Sequence, residues 1–267
     1  MIPAPTRYER AADLDHALHL LGEPDSKVIA GGQSLIPVMK LRIARPSLVV
    51  DISRLELRGV EERDGALHIG PLTTWNDLLD AETLARSGLE AITECARGIG
   101  DLQVRNVGTI GGSVVHADPA SDMPAVLLAL EATLQTRSPA GGREIALGDA
   151  LVGPFTTSLA TQEIVTDIVV PLPPAGSGSA YANVEHPASG FALAGAAAVA
   201  GPDGESVALT GVGATPFVLP AGDPKAAIAS AEIFGDRFAS AEYRRELAAT
   251  LAERALAKAR DRAQEDR

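Results

Sequence analysis

Two glycine pairs are the parts of this sequence best suited to chemistry. Residues 28–34 read V-I-A-G-G-Q-S and residues 107–113 read V-G-T-I-G-G-S. In each, a Gly pair follows an apolar residue and precedes small polar side chains. Glycine adopts conformations closed to other residues and lets a ligand approach the main chain. Successive N–H groups in such a turn form a concavity that holds an anion without positive side chains. A helix starting at the loop would add its dipole. Two such loops, around Gly31–Gly32 and Gly111–Gly112, suit a ligand containing pyrophosphate. Neither loop is G-x-G-x-x-G or G-x-x-x-x-G-K-[ST], and paired glycines more often mark tight turns or bulges. The pattern alone leaves both uses open.

Companion residues favour the ligand. Thr109 and Ser113 place hydroxyls on either side of the second pair, and HADPASDMPAV (116–126) then sets Asp118 and Asp122 before an apolar run. Carboxylates there either cap a helix or accept hydrogen bonds from ligand hydroxyls, as acidic residues do for ribose. Other chemistry finds no support. The one cysteine, Cys95, excludes an intramolecular disulfide and an all-cysteine iron–sulfur cluster within the chain. Its setting, ITECARGIG, places it on an apolar helical face, as core. His16 and His19 lie three apart on a predicted helix without further ligands, so they read as a surface pair. TGVGATP (210–216) ends in a proline after a strand, and no G-x-S-x-G elbow is present. With no nucleophile–base pair apparent, any reaction belongs to a bound cofactor.

A chain of 267 residues with 46% hydrophobic content buries a substantial core. Its net charge of −12 argues against nucleic acid as a partner. The N-terminus lacks the basic and apolar regions of a secretory leader. The longest apolar run, FALAGAAAVA (191–200), falls short of the roughly 20 residues of a membrane span. A soluble, cytoplasmic protein is expected.

The loops need elements to hold them. The pattern predicts a helix over 11–21 capped by Asp13, a short strand entering the first loop, and a helix over 34–44 with Pro37 in its first turn. A strand at 47–53 follows. Next come a hairpin turning at Arg63-Asp64-Gly65, a helix capped by Thr74 with Asp77, and the Cys95 helix. A strand at 163–173 runs into the Pro- and Gly/Ser-rich segment 171–179, read as a linker. Beyond it lie a hairpin of small residues turning at 201–204 and a C-terminal helix. That helix is expected to pack through Tyr243, Leu247, Leu251 and Leu256. The fold class is α+β, with lobes at 1–53 and 54–174 and a C-terminal domain at 177–267.

AGGQSL with PVMKLR, and RNVGTIGGSVVHADPASDMPAVLLAL, resemble the FAD-binding medium subunits of molybdenum hydroxylases, the carbon monoxide dehydrogenase and xanthine dehydrogenase family. LHIGPLTTW, FTTSLATQEIVTDIVVPLP, HPASGFALAGAA and ASAEYRREL fit the same pattern in order, across nearly the whole chain. The resemblance implies a two-lobed FAD-binding domain, a C-terminal domain with a small antiparallel sheet and helices, and bound FAD. It implies that Ala30, Gly31, Gly32, Gln33, Ser34 and Leu35 line the pyrophosphate. Thr109, Ile110, Gly111, Gly112 and Ser113 would form the second contact loop, and Asp122 would be the FAD-contacting carboxylate, with Asp118 a further candidate. Ile99 and Val165 match apolar positions around the cofactor, and Phe191 an aromatic position near the isoalloxazine. The implied role is electron transfer from a small two-cluster iron–sulfur subunit through FAD to an external acceptor, with substrate oxidised on a large molybdopterin-binding subunit. The alternative is a nucleotide-binding assembly or regulatory module without redox turnover. No basic residue accompanies HPASGF, which favours the carbon monoxide dehydrogenase-like branch. The segment between GVGATPF and ASAEYRREL is shorter than the family's usual helical one.

Overall fold

The structure, a computed structural model, describes residues 2–86 and 88–265. Its first unit comprises β1 (Arg7–Arg10), α1 (Leu14–Leu20), β2 (Ser26–Ile29), α2 (Leu35–Lys40) and β3 (Leu48–Asp51). The three strands form a parallel sheet in the order β1-β3-β2, with Ile29 and Arg10 both opposite Asp51. All three strands therefore end on one side, where ligands of parallel sheets ordinarily bind, and the first glycine loop leaves from that side. Asp13 caps α1 as expected, accepting from the His16 N–H at 2.7 Å. Helix α2 stops at Lys40, short of the expected Ala44, and Arg42 beyond it has φ +59°.

The second unit contains β4 (Val60–Arg63), β5 (Ala66–Ile69), α3 (Trp75–Asp80), α4 (Glu90–Gly98), α5 (Leu102–Arg105), α6 (Ile110–His116) and α7 (Asp122–Ala129). It continues through β6 (Thr133–Ser138), β7 (Gly141–Ala146), α8 (Leu147–Ala150), β8 (Leu151–Gly153), β9 (Thr156–Thr157) and β10 (Ile164–Pro171). Its main sheet has the order β4-β5-β10-β6-β7, antiparallel throughout. Asp64 and Gly65 both have positive φ, the geometry of a two-residue hairpin turn. Thr74 and Asp77 form the full reciprocal cap of α3. Cys95 is 1% exposed and lies in the core.

The third unit holds β11 (Gly178–Glu185), β12 (Ala192–Gly201), β13 (Gly204–Thr210), β14 (Phe217–Val218), α9 (Pro224–Ser230) and α10 (Ala241–Glu265). The strands pair antiparallel in sequence order. β12, ALAGAAAVAG, is built of small residues because both of its faces are covered. Ala194, Ala196, Ala198 and Ala200 share a core with Leu251, Ala252, Ala255, Leu256 and Ala259 of α10. Ala197 and Ala208 belong instead to the large core that contains Met123 and residues 125–129 of α7. Helix α7 is buried all round, as its apolar sequence after Asp122 requires.

Candidate functional site

The first loop leaves the sheet just after Ile29, whose carbonyl accepts from the Ile52 N–H at 3.0 Å. Ala30, Gly31 and Gly32 are half-buried, as are Ser34 and Leu35, while Gln33 is exposed. A Cβ on Gly31 would lie 2.0 Å from the Val107 carbonyl oxygen and 3.0 Å from Gly108 Cα. The first loop thus rests on the backbone of the second, a contact only glycine permits. Gly32 has φ +70°, which turns the chain toward α2. Ser34 occupies the N-cap of α2 but its side chain makes no capping bond. Among the described residues, the N–H groups of Gly31, Gly32, Gln33, Ser34 and Leu35 have no protein acceptor. Such a run of uncommitted amides is what an anion requires.

The second loop differs. α6 does start there, but its first N–H groups are committed. Ile110 donates to the Thr73 carbonyl at 3.0 Å, Gly111 to the Pro71 carbonyl at 2.9 Å, and Gly112 to Thr109 Oγ1 at 3.2 Å. A Cβ on Gly111 would come within 2.4 Å of Pro71 Cβ. Thr109, Ile110 and Gly111 are buried, whereas Gly112 is exposed and Ser113 half-buried. The two loops therefore differ: the first has uncommitted amides, while in the second Gly112 and Ser113 are the residues left accessible.

Ser113 Oγ lies 2.6 Å from Ser121 Oγ, tying α6 to the loop before α7. In that loop Asp118 forms a turn, Oδ1 accepting from the Ala120 N–H at 2.9 Å. Asp122, the first residue of α7, is buried, and its Oδ1 accepts from the Tyr181 hydroxyl and from Asn183 Nδ2, the latter at 3.0 Å. Burial pushes this carboxyl up, and the bonds from Tyr181 and Asn183 pull it partly back, to about 6. Both partners come from β11, whose first residues fall within the expected linker. A lone tyrosine among small residues was the only signal available there.

Ile99 is half-buried just after α4, its carbonyl accepting from Arg105 Nη1 at 3.2 Å. Val165 is 3% exposed in the core of the second sheet, opposite Thr136. No side-chain bond joins it to either loop. Phe191 is 44% exposed between β11 and β12, its carbonyl accepting from the His186 N–H at 2.8 Å. This edge reaches the site through Gly211, whose N–H donates to the Pro119 carbonyl at 2.9 Å. A Cβ on Gly211 would lie 2.7 Å from the Ala192 carbonyl. The structure thus connects residues 30–35, 107–113, 118–122 and the Phe191 edge. Among the described residues, no cluster of His, Cys, Asp or Glu is placed to hold a metal ion, and no helix is long and apolar enough to cross a membrane.

Residues 4–173 match the family described as FAD binding domain in molybdopterin dehydrogenase. The chain is 37% identical to the 6-hydroxypseudooxynicotine dehydrogenase complex subunit alpha of Paenarthrobacter nicotinovorans, over 98% of this chain and 97% of that one. It is 35% identical to the carbon monoxide dehydrogenase medium chain of Hydrogenophaga pseudoflava, over 96% and 97%. The fold superposes on a solved chain of carbon monoxide dehydrogenase from Hydrogenophaga pseudoflava with a TM-score of 0.91, at 35% identity, covering 98% of this chain and 99% of that chain. With the loops, the sheets and the whole-length likeness in agreement, this chain belongs to the family of FAD-binding domains of molybdopterin dehydrogenases.

Proposed function

We propose that this chain is the FAD-binding electron-transfer subunit of a molybdenum-dependent hydroxylase, with FAD seated where the two glycine loops meet. The observation that carries the assignment is the Gly31–Val107 backbone contact beside the uncommitted amides of residues 31–35. That cradle fits a pyrophosphate. A side chain at Gly31 would displace the second loop, and the free N–H groups supply donors for an anion in an acidic chain. Gln33 and Ser34 add side-chain donors at the cradle's mouth. Gly112 and Ser113 form the facing wall, with Thr109 holding their helix end and Ile110 anchoring it in the core. Asp122 receives a ligand hydroxyl through Oδ2, since Oδ1 is occupied by Tyr181 and Asn183. Asp118 shapes the turn that leads to it. Leu35, Ile99 and Phe191 supply apolar cover, with Val165 behind them in the core. Ile36 and Val107, 41% and 46% exposed beside the loops, are surfaces a planar ligand would cover.

When bound, the flavin supplies a carrier that accepts and releases electrons singly or in pairs. The protein's own part is to bind it, orient it and shed water from around it. A single cysteine cannot furnish the thiolates of an iron–sulfur cluster. The clusters accordingly belong to a small two-cluster partner subunit, and substrate oxidation to a large molybdopterin-binding subunit, in the cytoplasm. We assign residues 1–174 to the FAD-binding domain and 177–267 to a C-terminal domain. The test is direct. The purified chain should bind one FAD, and Gly32→Val, which cannot adopt the left-handed turn, should weaken that binding at least about tenfold. Unchanged affinity would overturn the loop assignment. Flavin that stays oxidised when substrate is added to the reconstituted complex would overturn the electron-transfer role.

A further inference from the structure

The motif ASAEYRREL, residues 239–247, contains a buried arginine. Helix α10 was expected to bury Tyr243, which is 52% exposed, while the adjacent Arg244 is 6% exposed. Burying a guanidinium is strongly unfavourable unless its donors are met, and the next residues on the same face, Ala248 and Leu251, pack without polar groups. Arg244 is therefore held for its donors. Nη1 donates to the Leu193 carbonyl at 2.7 Å and to the Gly211 carbonyl, and Nη2 donates to Asp236 Oδ2 at 2.6 Å. Nε is buried without an acceptor.

The two carbonyls sit at a particular place. Leu193 lies two residues after Phe191, and Gly211 follows β13. From Gly211 the bonds continue inward. Its N–H donates to Pro119, and Thr210 Oγ1 donates to the Ser121 carbonyl at 2.7 Å and to the Pro119 carbonyl at 3.1 Å. Ser121 then meets Ser113 of α6. On the other side, Asp236 organises a turn by accepting from the N–H groups of Phe238 and Ala239. The Phe238 ring stands 4.3 Å, centroid to centroid, from His186, at the start of the turn that ends at Phe191.

We propose that Arg244 is a positioning residue for the flavin, fixing the Phe191–Leu193 edge of the third sheet against the 118–122 loop and α6 so that both walls meet the same ligand. The proposal rests on the FAD reading above. One guanidinium grips the start of β12, the end of β13 and the turn whose Phe238 ring packs tilted against His186, so its loss would let the two walls drift apart without touching the glycine cradle.

The experiment uses the full chain as Arg244→Met, Arg244→Lys and Thr210→Val. FAD affinity is measured by fluorescence titration, the flavin environment by visible circular dichroism and midpoint potential, and the fold by far-ultraviolet dichroism. Arg244→Met is expected to weaken FAD binding about tenfold and to change the visible dichroism of the flavin that remains bound. Arg244→Lys, which keeps the charge but replaces the forked guanidinium by a single ammonium, should recover part of both signals. Thr210→Val should shift them in the same direction. Lower melting temperatures with unchanged affinity, dichroism and potential would show a purely structural contact and overturn the proposal. Should Arg244→Met fail to fold, Thr210→Val decides alone: an unchanged flavin signature overturns it. Wild-type chain that binds no FAD would instead overturn the FAD reading, and this proposal with it.

Discussion

In each glycine pair the two residues divide the work. Gly31 and Gly111 let backbone segments approach within a distance that a Cβ would forbid, against Val107 and Pro71 respectively. Gly32 turns the chain with a positive φ, and Gly112 faces outward. The sequence pattern offered a choice between tight packing and ligand approach; the first glycine of each pair is held by tight packing, and the second stands clear of backbone neighbours. Asp122 carries a further consequence at this scale. Its carboxyl is raised from 3.8 to about 6, chiefly by burial. Folding therefore favours its protonated form, so its stabilising contribution is complete below the unfolded value and is lost as pH rises through 6. Asp122→Asn, which keeps the acceptor for Tyr181, should melt increasingly above wild type as pH rises from about 4 to 7. Scanning fluorimetry of the two apo chains checks this; a constant difference would show that Asp122 does not titrate there. The carboxylate itself was legible in ADPASD. Its partners were not, because Tyr181 and Asn183 lie about sixty residues away and pairing across that distance leaves no local trace.

Among the elements, α4 is the strap that holds the third unit. Glu94 Oε1 receives Lys258 Nζ and Arg262 Nη2, each at 2.5 Å, and its Oε2 accepts the Tyr181 N–H at 3.0 Å. Glu90 Oε2 accepts the Ser179 N–H at 3.0 Å. Burial raises the Glu94 carboxyl, but Arg262, Lys258 and the Tyr181 amide outweigh it and hold it below the usual range. This group thus stabilises the fold above the ordinary carboxylate range, and that contribution fades on acidification. Glu94→Gln should cost about 1–3 kcal/mol in urea unfolding near neutral pH and less in acid; an equal cost at both would show that its charge is irrelevant. Elements with caps and periodicity, such as α1, α3 and the β4–β5 hairpin, were legible locally. β1, RYER, was not, because an exposed edge strand needs no apolar alternation. Strand β11 was masked by its Gly/Ser-rich start. In α10 Leu247, Leu251 and Leu256 pack as expected, and only Tyr243 departs, its place in the core being taken by Arg244.

Taken whole, the molecule is an acidic, apolar-cored protein in which segments 30–35, 107–113 and 118–122 are joined by close backbone and side-chain contacts. Ligand that binds only the folded state stabilises it by about 2.7 kcal/mol at a hundredfold excess over Kd. For a protein of this size that corresponds to a rise of roughly 5–10 °C in melting temperature. FAD should produce that rise in wild type, and Gly32→Val, at the same ligand concentration, should cut it to about half or less; equal shifts would place the ligand elsewhere. The family and its cofactor were legible because the loops are contiguous motifs. The joint between sheets was not, since it is made of single side chains drawn from distant segments.

Helix α7 belongs by sequence to the segment that matches the FAD-binding family, yet its side chains share one core with Ala197 and Ala208 of the third sheet. A single helix therefore completes two layers at once. Cutting the backbone at 172–177 should leave a nicked protein that stays together on gel filtration. Produced separately, 1–173 and 178–267 would each expose half of a shared interior. Their solubility should then depend on co-expression, as two halves that complement rather than two modules that can be exchanged.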